Sequence, residues 1–454
     1  MRVFVAQILC KLISFLLRAA GRGGTNLPGR IALRVCPDLL GVLGNGVVVT
    51  LITGTNGKTT TSRIVEESFL AAGLSCFSNR SGANLLSGIT AVFSLCATLS
   101  GKSRFSRAVI ECDEAAFKSV SRYLEVGTVV VTNIFRDQLD RYGEITHTKD
   151  SIAAGLANCP GAVLCLNADC SLTVSLAEGL PNKIVYFGLD RSFNKDTAFE
   201  LSDAAYCIKC KGKYAYNYRT YGHLGGFCCP SCGYSRPVAD IAVTGISHMD
   251  DDSSDVEITM FGKAHQMRVN LPGGYNVYNA VAAASAAAAS GLSGTVIAEA
   301  LGCFSGSFGR AERFQLGESS IRIMLIKNPA GFNQVLTLIV NTVVNAVLVF
   351  ALNDRLADGT DVSWIWDVDF EMLLSIKERI LGFYVSGVRA DEMALRLKYA
   401  GFDESDILLI RGYKMLIAEA IKGGHPVIIL PTYTAMLDIR AALSKVLPLK
   451  AFYE

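Results

Sequence analysis

The chain carries Thr53-Gly54-Thr55-Asn56-Gly57-Lys58-Thr59-Thr60-Thr61 between an apolar run, 47–52, and a segment with helical patterning. A buried strand, a glycine-containing turn and a helix N-terminus form a cradle for phosphate, because backbone N–H groups and the helix dipole face the anion. Lys58 can reach the outer phosphates, and the Thr59 hydroxyl can bind Mg²⁺. The stretch predicts a nucleotide triphosphate site; the alternative is a Gly-Lys-Thr turn that arose by chance.

The glycine spacing of this loop departs from the common P-loop pattern. Gly54 lies three residues before Gly57, and Ile52 stands where the usual first glycine would be. The shorter loop points away from ordinary P-loop kinases.

Length and composition indicate a globular protein of two or three domains. The chain has 454 residues, of which 50% are hydrophobic and 19% are charged, so each domain can bury a core. A net charge of +2 predicts no general affinity for nucleic acid. The 14 cysteines lie mostly singly in apolar runs, which favours free thiols in a reducing cytosol over a secreted disulfide scaffold.

The N-terminal residues, 1–40, predict an amphipathic helix followed by a Gly-rich linker at 21–29. Gln7, Lys11, Ser14 and Arg18 recur at helical spacing on one face, and no run between them reaches the ~20 apolar residues of a bilayer span. The helix is expected to dock on the protein or to rest at a membrane surface. A cleaved signal sequence is not expected, because an ATP site would be out of place outside the cell.

Strand-like and helical patterns alternate along most of the chain, which favours mainly parallel sheets covered by helices. The predicted strands of the first part are 47–52, 108–111, 128–132, 162–166 and 183–187. Those of the second part are 346–352, 382–386, 407–410 and 426–430. A domain boundary is therefore expected near residue 310.

A segment rich in Cys, Tyr and Gly, 203–237, contains two CxxC pairs, Cys207 with Cys210 and Cys229 with Cys232. Each pair supplies two thiolates on one tight turn, and two facing pairs complete a tetrahedral Cys₄ site for Zn²⁺. Such a site is closed, so its predicted role is structural, within a small inserted ribbon. Four unrelated thiols are the alternative.

Acidic residues follow the predicted strand 108–111, at the edge of a parallel sheet where ligands bind. Glu111 is expected to complete the Mg²⁺ shell that Thr59 begins, and Asp113 or Glu114 to orient substrate. A solvated acidic turn is the alternative interpretation.

Five ordered motifs together resemble the Mur ligases and the folylpolyglutamate synthases. They are the ATP loop 54–59, the carboxylate segment 111–115, Thr132-Asn133 with 137–140, the adenine-contacting turn 275–279 and the boundary motif 309–313. The resemblance implies an α/β protein with a Mur ligase-like central P-loop ATPase domain, 41–310, interrupted by the zinc ribbon, 203–237. A Rossmann-like α/β domain would follow at 311–454.

The resemblance also implies which residues bind ATP and metal. Lys58 and Glu111 would be catalytic, and Thr59 and Glu111 would bind Mg²⁺. The residues implied for ATP are Gly54, Thr55, Asn56, Gly57, Lys58, Thr59, Thr60, Asn276 and Arg310.

Three departures narrow the resemblance to the MurT branch of this family. Gln138 stands where amino-acid-adding Mur ligases usually carry histidine, the segment 327–333 replaces their Asp-Tyr-Ala-His-Asn-Pro-like motif, and the zinc ribbon is foreign to them. With the segments 353–367 and 431–434, these features resemble the synthetase subunits of lipid II isoglutaminyl synthases, which work with a glutaminase of the GatD type.

That branch implies ATP-dependent amidation of the D-glutamate α-carboxylate in the lipid II stem peptide, giving D-isoglutamine. The carboxylate would be activated as an acyl phosphate, and the ammonia would come from the glutaminase partner in a heterodimer. Because ammonia has no carboxylate to bind, loss of the amino-acid-binding motif is expected. The enzyme is expected in the cytoplasm, or peripherally at the inner face of the membrane.

Aspartates after the predicted strand 346–352 are candidates to complete the partner's Cys-His glutaminase site. By position Asp361 is favoured, then Asp367, with Asp354 left open. Trp364 and Trp366 lie in the same polar segment, which favours an interface over a core; local packing of both rings is the alternative.

Two other classes of function stay open. An amino-acid-adding ligase of the Mur or folylpolyglutamate type would combine the same ATP site with another nucleophile. A non-catalytic zinc-ribbon protein would retain the nucleotide fold without turnover.

Overall fold

The structure is a computed structural model that describes residues 1–19, 26–80, 83–137, 145–192, 203–304, 310–342 and 345–447. Of the segments singled out above, residues 21–25, Gln138 with 139–140, Gly309 and the side chains of Arg310 and Ala311 lie outside the described part.

The first part of the chain builds a nine-stranded sheet. Its strands are β1 (Val48–Thr53), β2 (Phe77–Ser78), β3 (Arg107–Glu111), β4 (Glu125–Val131), β5 (Val163–Asn167), β6 (Ile184–Leu189), β9 (Ile241–Met249), β10 (Ser254–Met260) and β11 (Lys263–Val269). Two further strands, β7 (Ala215–Tyr221) and β8 (Leu224–Cys228), form a separate ribbon.

Helices cover this sheet and precede it. They are α1 (Arg2–Ala19), α2 (Asn26–Val35), α3 (Leu39–Gly44), α4 (Lys58–Ala71), α5 (Leu86–Cys96), α6 (Glu114–Ser121), α7 (Ile145–Leu156), α8 (Ser171–Ser175), α9 (Gly274–Ala289) and α10 (Gly294–Cys303).

The strand order is β11-β10-β9-β6-β5-β4-β1-β3-β2. Within this order the run β9-β6-β5-β4-β1-β3-β2 pairs in parallel, and β9, β10 and β11 pair antiparallel. The interior strand β1, third from the β2 edge, carries apolar residues on both faces, with Val49, Leu51 and Ile52 fully buried, because helices cover both sides of a parallel sheet. All five strands predicted for this part are present, and β1 ends where the glycine loop begins.

The second part builds a six-stranded sheet in the order β12-β13-β17-β14-β15-β16. The strands are β12 (Arg310–Leu316), β13 (Ser319–Met324), β14 (Ala346–Ala351), β15 (Ile380–Ser386), β16 (Ile407–Leu409) and β17 (Val427–Pro431). The helices are α11 (Pro329–Thr342), α12 (Ala390–Tyr399), α13 (Tyr413–Ala420) and α14 (Tyr433–Leu443), with 3-10 helices at Ser363–Asp367, Phe370–Arg379 and Glu404–Asp406. The four strands predicted here are all present, and the α/β fold class is confirmed.

The ribbon of β7 and β8 is inserted between two neighbouring strands of the large sheet. Strands β6 and β9 pair in parallel, with Phe187 opposite Ile241, although the ribbon separates them in sequence. Buried Asp169 fixes the ribbon to the sheet: it accepts hydrogen bonds from Arg236 Nε at 2.6 Å and from Tyr278 Oη at 2.6 Å. Tyr278 also contacts Thr220 of β7 at 2.7 Å.

The predicted Gly-rich linker, 21–29, is wrong for its last residues, since α2 begins at Asn26. Proline is tolerated in the first turn of a helix, where its missing N–H would have no partner. Gly29 serves close packing instead of flexibility: a Cβ at this position would lie 1.8 Å from the backbone oxygen of Ser87 at α5.

We predict that Asp169→Ala lowers the free energy of unfolding by about 3–5 kcal/mol, because it removes the fully buried partner of the partly buried Arg236 guanidinium. Urea unfolding followed by circular dichroism measures this. The matched control is Asp190→Ala, since half-exposed Asp190 contacts the same guanidinium at 3.0 Å and an exposed pair contributes only ~0–1 kcal/mol. Equal losses in both variants would contradict the anchoring role of Asp169.

Candidate functional site

The loop after β1 holds its shape through two glycines in the left-handed region. Gly54 has φ +117° and Gly57 has φ +86°, where other residues are strained. Space excludes a side chain as well, because a Cβ at Gly54 would lie 2.4 Å from Thr132 Oγ1 and one at Gly57 would lie 2.0 Å from Asn279 Oδ1. The loop therefore leads directly into α4, whose first residue is Lys58.

Lys58 is buried and surrounded by oxygen atoms. Its Nζ donates to the backbone oxygen of Gly54 at 2.5 Å and to Glu114 Oε1 at 3.0 Å. Burial works against the charge on Lys58, but Glu114 above all, then Asp113 and Glu111, outweigh burial and raise its pKa. Burial raises the pKa of Glu114 against the attraction of Lys58. The site thus keeps a charged ammonium at the base of the phosphate loop.

Thr59 and Glu111 lie together as the sequence predicts for a metal site. The Thr59 hydroxyl donates to Glu111 Oε2 at 2.7 Å, and Asn84 Nδ2 donates to Glu111 Oε1 at 3.3 Å. Asn79 holds the backbone of Glu111 through both of its side-chain atoms. A buried carboxylate next to a hydroxyl is an oxygen donor set that suits Mg²⁺. These residues fit the predicted ion.

Asp113 has a structural contact that the sequence analysis did not assign. Its Oδ1 accepts from the Ala115 amide at 3.0 Å and caps α6.

Thr132 and Asn133 fasten the loop from the end of β4. The Thr132 hydroxyl donates to the backbone oxygen of Asn56 at 2.7 Å, and Asn133 Oδ1 accepts from the Asn56 amide at 2.9 Å. The end of β4 therefore fixes Asn56, which lies between the two glycines, through two hydrogen bonds.

The predicted adenine turn meets the same loop from α9. Asn279 Nδ2 donates to Asn276 Oδ1 at 2.9 Å, and Asn276 Nδ2 donates to the Pro272 oxygen at 2.7 Å. Since Asn279 also lies against Gly57, the turn 275–279 and the phosphate loop are in contact.

Residues of the second sheet complete the site. Lys327 Nζ pairs with Asp137 Oδ2 at 2.6 Å. Asn328 Nδ2 donates to Asn56 Oδ1 at 2.9 Å, while its own oxygen accepts from the Gly331 amide at 2.9 Å and caps α11. The segment 327–333 thus touches the glycine loop itself.

The candidate aspartates of the second part have different partners. Asp367 Oδ2 accepts from Arg136 Nη2 at 2.7 Å, which joins the two sheets, and the Arg136 amide donates to Asp203 at 2.8 Å. Asp354 Oδ2 accepts from Arg389 at 2.7 Å. Asp361 Oδ1 accepts from the Ser363 amide at 2.8 Å, at the start of a 3-10 helix.

The expectation that both tryptophans mark an interface is wrong for Trp364. Its side chain is buried in the core of the second part, near Phe332. Trp366 is half-exposed and packs edge-on against Tyr399. Trp364 and Trp366 lie on different faces of the 3-10 helix Ser363–Asp367, so only the Trp366 ring is exposed.

The four predicted cysteines meet at one point. Their Sγ atoms all lie within 4.8 Å of one another, with Cys210 and Cys229 at 3.4 Å and Cys207 and Cys232 at 3.6 Å. Tetrahedral Zn–S bonds of ~2.3 Å place the sulfurs about 3.8 Å apart. The thiols therefore fit a zinc ion, and Cys228 is exposed and outside the cluster.

Asn79 and Asn84 were not found from the sequence. They lie in a loop before α5 and reach Glu111 only through the tertiary fold. Their one sequence signal is the polar stretch 78–84 beside the apolar strands.

Two family models match the chain: the Mur ligase middle domain at residues 52–224 and the MurT ligase C-terminal domain at residues 325–436. The MurT subunit of lipid II isoglutaminyl synthase (glutamine-hydrolyzing) from Streptococcus pneumoniae (strain ATCC BAA-255 / R6) is 34% identical, over 95% of this chain and 94% of its own. The subunit of the same name from Staphylococcus aureus (strain COL) is 33% identical, over 98% of both chains.

Among solved structures, a pseudomurein peptide ligase type C from Methanothermus fervidus superposes with a TM-score of 0.65. It is 20% identical and covers 88% of this chain and 79% of its own, so the likeness shows the fold alone. The two family models and the near full-length relatives together show that the chain is a Mur ligase-family ligase and belongs to the MurT family.

Proposed function

We propose that the protein is the ATP-dependent synthetase subunit of an amidating ligase. It would convert the D-glutamate α-carboxylate of the lipid II stem peptide into D-isoglutamine, with ammonia from a GatD-type glutaminase. The observation that carries the proposal is the contact of Lys327 and Asn328 with the ATP site, where an amino-acid-adding ligase would bind its second substrate. Residues 41–310 would bind ATP and metal, and 311–454 would meet the partner.

ATP would be bound by the loop 54–60 and the N-terminus of α4. The free backbone N–H groups of a helix start and its dipole attract phosphate. Lys58 would exchange part of its contact with Glu114 for the outer phosphates and neutralise charge that develops during transfer. Asn276 of the turn 275–279 and Arg310 remain predicted ATP contacts.

Mg²⁺ would be held by Thr59 and Glu111, and when bound it supplies charge neutralisation on the phosphates. The chain itself contributes orientation. Asn84 donates to the Glu111 carboxylate, and Asn79 holds the Glu111 backbone, so the carboxylate would meet the ion with little loss of side-chain freedom.

Amide formation from a carboxylate requires activation, since oxide is a very poor leaving group. Transfer of the ATP γ-phosphoryl group to the carboxylate oxygen forms an acyl phosphate and ADP. Attack by ammonia on the carbonyl carbon then expels phosphate, and the ammonia nitrogen loses a proton. The proposed reaction site lies between the two sheets. The ion pairs Lys327–Asp137 and Arg136–Asp367 connect the two sides and would help to exclude water from it.

The choice of nucleophile follows from what the second sheet contributes. An incoming amino acid needs a cationic site for its carboxylate, whereas ammonia needs only a dry path. Lys327 is paired with buried Asp137 at 2.6 Å, so its charge is already balanced. This arrangement favours ammonia.

The two candidate aspartates are expected to act differently. Asp367 joins the two sheets through Arg136, whereas Asp361 lies at the start of the 3-10 helix in the loop after β14. We therefore keep Asp361 as the first candidate to orient the histidine of the partner's Cys-His site.

The first prediction concerns the nucleophile. ATP turnover with lipid II is expected to require ammonium and to be unsupported by a panel of amino acids, as measured by phosphate release and mass spectrometry of the product. Lys58→Ala should lower turnover by about a hundredfold or more, while the exposed control Lys118→Ala keeps it. An amino acid that gives product where ammonium does not would refute amidation.

The second prediction concerns the partner site. With the glutaminase present, Asp361→Asn is expected to lower glutamine-dependent turnover by about a hundredfold or more and to spare ammonium-dependent turnover. Asp367→Asn serves as the comparison, since loss of the Arg136 pair should lower both rates together. Unchanged glutamine use in Asp361→Asn would remove this residue from the proposal.

The third prediction concerns the ribbon. Elemental analysis is expected to find about one zinc ion per chain, and Cys229→Ser should remove it and lower the melting temperature. Cys228→Ser is the matched control, because its thiol is the neighbour in sequence but is exposed and outside the cluster. Equal zinc content in both variants would contradict the Cys₄ assignment.

A further inference from the structure

Helix α1 faces the protein with small and polar side chains. The residues that it buries are Ala6, Gln7, Cys10 and Ser14. The large side chains that it exposes are apolar: Phe4, Val5, Ile8, Leu12, Phe15 and Leu16. They recur at helical spacing and form one row, which we call the outer row. Phe15 is 68% exposed. A contiguous apolar surface of this kind marks a place that another apolar phase covers.

Specific contacts fix the orientation of α1. The Ser94 hydroxyl of α5 donates to Gln7 Oε1 at 2.6 Å, in the buried interface. Lys11 Nζ donates to the backbone oxygen of Ala97 at 2.6 Å. Rotation of the helix to bury the outer row would break these bonds and leave buried polar groups unpaired, which costs about 1–3 kcal/mol for each group. The outer row is therefore a stable feature of the fold.

The charge around α1 has one sign. The chain contains no Asp or Glu before Asp38. Arg2 and Arg18 are exposed at the two ends of α1, and Arg104 lies close enough to Lys11 to help lower its pKa, after the larger effect of burial. A helix with an exposed apolar row and basic residues at its margins has the pattern of interfacial helices on anionic lipid.

The position of α1 relative to the ATP site is also suitable. Helix α1 packs on α5, and α5 begins two residues after Asn84, the partner of Glu111. The α1 contact is to Ser94, near the end of α5, so α5 connects the helix that carries the outer row to the loop that holds Glu111.

We propose that the outer row of α1 lies in the interfacial region of an anionic lipid bilayer and holds the enzyme there. Within the described residues, no helix combines the length and apolarity needed to cross a bilayer, so α1 would lie in the plane of the interface. The proposal rests on the proposed function for the lipid-linked substrate, whereas the docking itself rests on the helix. A second copy of the chain and the glutaminase are the competing occupants.

Vesicle co-sedimentation of the full chain tests this. Vesicles of phosphatidylcholine with phosphatidylglycerol are expected to bind the chain about tenfold or more tightly than phosphatidylcholine alone. Leu12→Gln with Phe15→Gln should lower that binding at least about tenfold. The matched control is Val238→Gln with Met415→Gln, which replaces exposed apolar side chains elsewhere and should bind like the wild type.

The charge contribution has its own pair of variants. Arg2→Glu with Arg18→Glu should bring binding to anionic vesicles down to the level seen with neutral vesicles, and added salt should weaken wild-type binding in the same way. Lys263→Glu with Lys414→Glu makes the same charge change at exposed sites away from α1 and should have little effect.

Turnover separates this proposal from the proposed function. The Leu12/Phe15 variant should lose activity on substrate embedded in vesicles and keep it on a short-chain, water-soluble substrate with ammonium. If the wild type is inactive on both substrates, the proposed function is refuted. The vesicle-binding result would then decide the membrane proposal independently. Absence of wild-type vesicle binding, or equal binding by both double variants, would overturn the membrane proposal. So would loss of self-association or of glutaminase binding in the Leu12/Phe15 variant without loss of vesicle binding.

Discussion

A buried lysine ammonium is the interaction on which the loop after β1 and the strands around it depend. Lys58 cannot be charged in the interior without oxygen partners, because desolvation of an isolated ion is very unfavourable. The Gly54 carbonyl and Glu114 supply those partners. Glu114 must therefore start a helix at the end of β3, beside β1, and the glycine loop must be short enough to turn its carbonyl towards the ammonium. The parallel order of β1, β3 and β4 satisfies both requirements.

A residue that follows the second strand of the second sheet makes a direct hydrogen bond to this loop. Asn328 illustrates this, because one side-chain amide caps α11 and also donates to Asn56 in the loop. The position of the first turn of α11 thus depends on the conformation of the loop, and the conformation of the loop depends on the position of that turn. Such reciprocal contacts couple the loop conformation to the position of the second sheet, so that under the proposed function nucleotide exchange would require the Lys327–Asp137 and Arg136–Asp367 pairs to open.

The two additions to the ligase fold are fixed by polar contacts in opposite settings. The ribbon is attached through Asp169, Arg236 and Tyr278 in a buried network, so the proposed zinc would stabilise a module that is already held rigidly on the sheet. Helix α1 instead buries Gln7 and Ser14 and leaves its apolar side outside. The contacts of the ribbon stabilise the protein itself. The orientation of α1 leaves an apolar surface that another phase would cover.

The sequence alone determined nine strands of the two large sheets, the glycine loop, the cysteine cluster and the family, because these depend on local patterns: apolar runs, glycine positions and fixed spacings. It also placed Thr59 near Glu111, since the ends of neighbouring parallel strands meet at one edge. Only the tertiary structure decided the remaining points. Asn79 and Asn84 contact Glu111 from a loop that is distant in sequence. Trp364 is buried in the core of the second part, although its neighbours in the sequence are polar. Above all, amphipathicity showed that α1 has two faces, but which face turns to the protein depends on Ser94 and Ala97 of other elements, and those long-range partners leave no periodic signal.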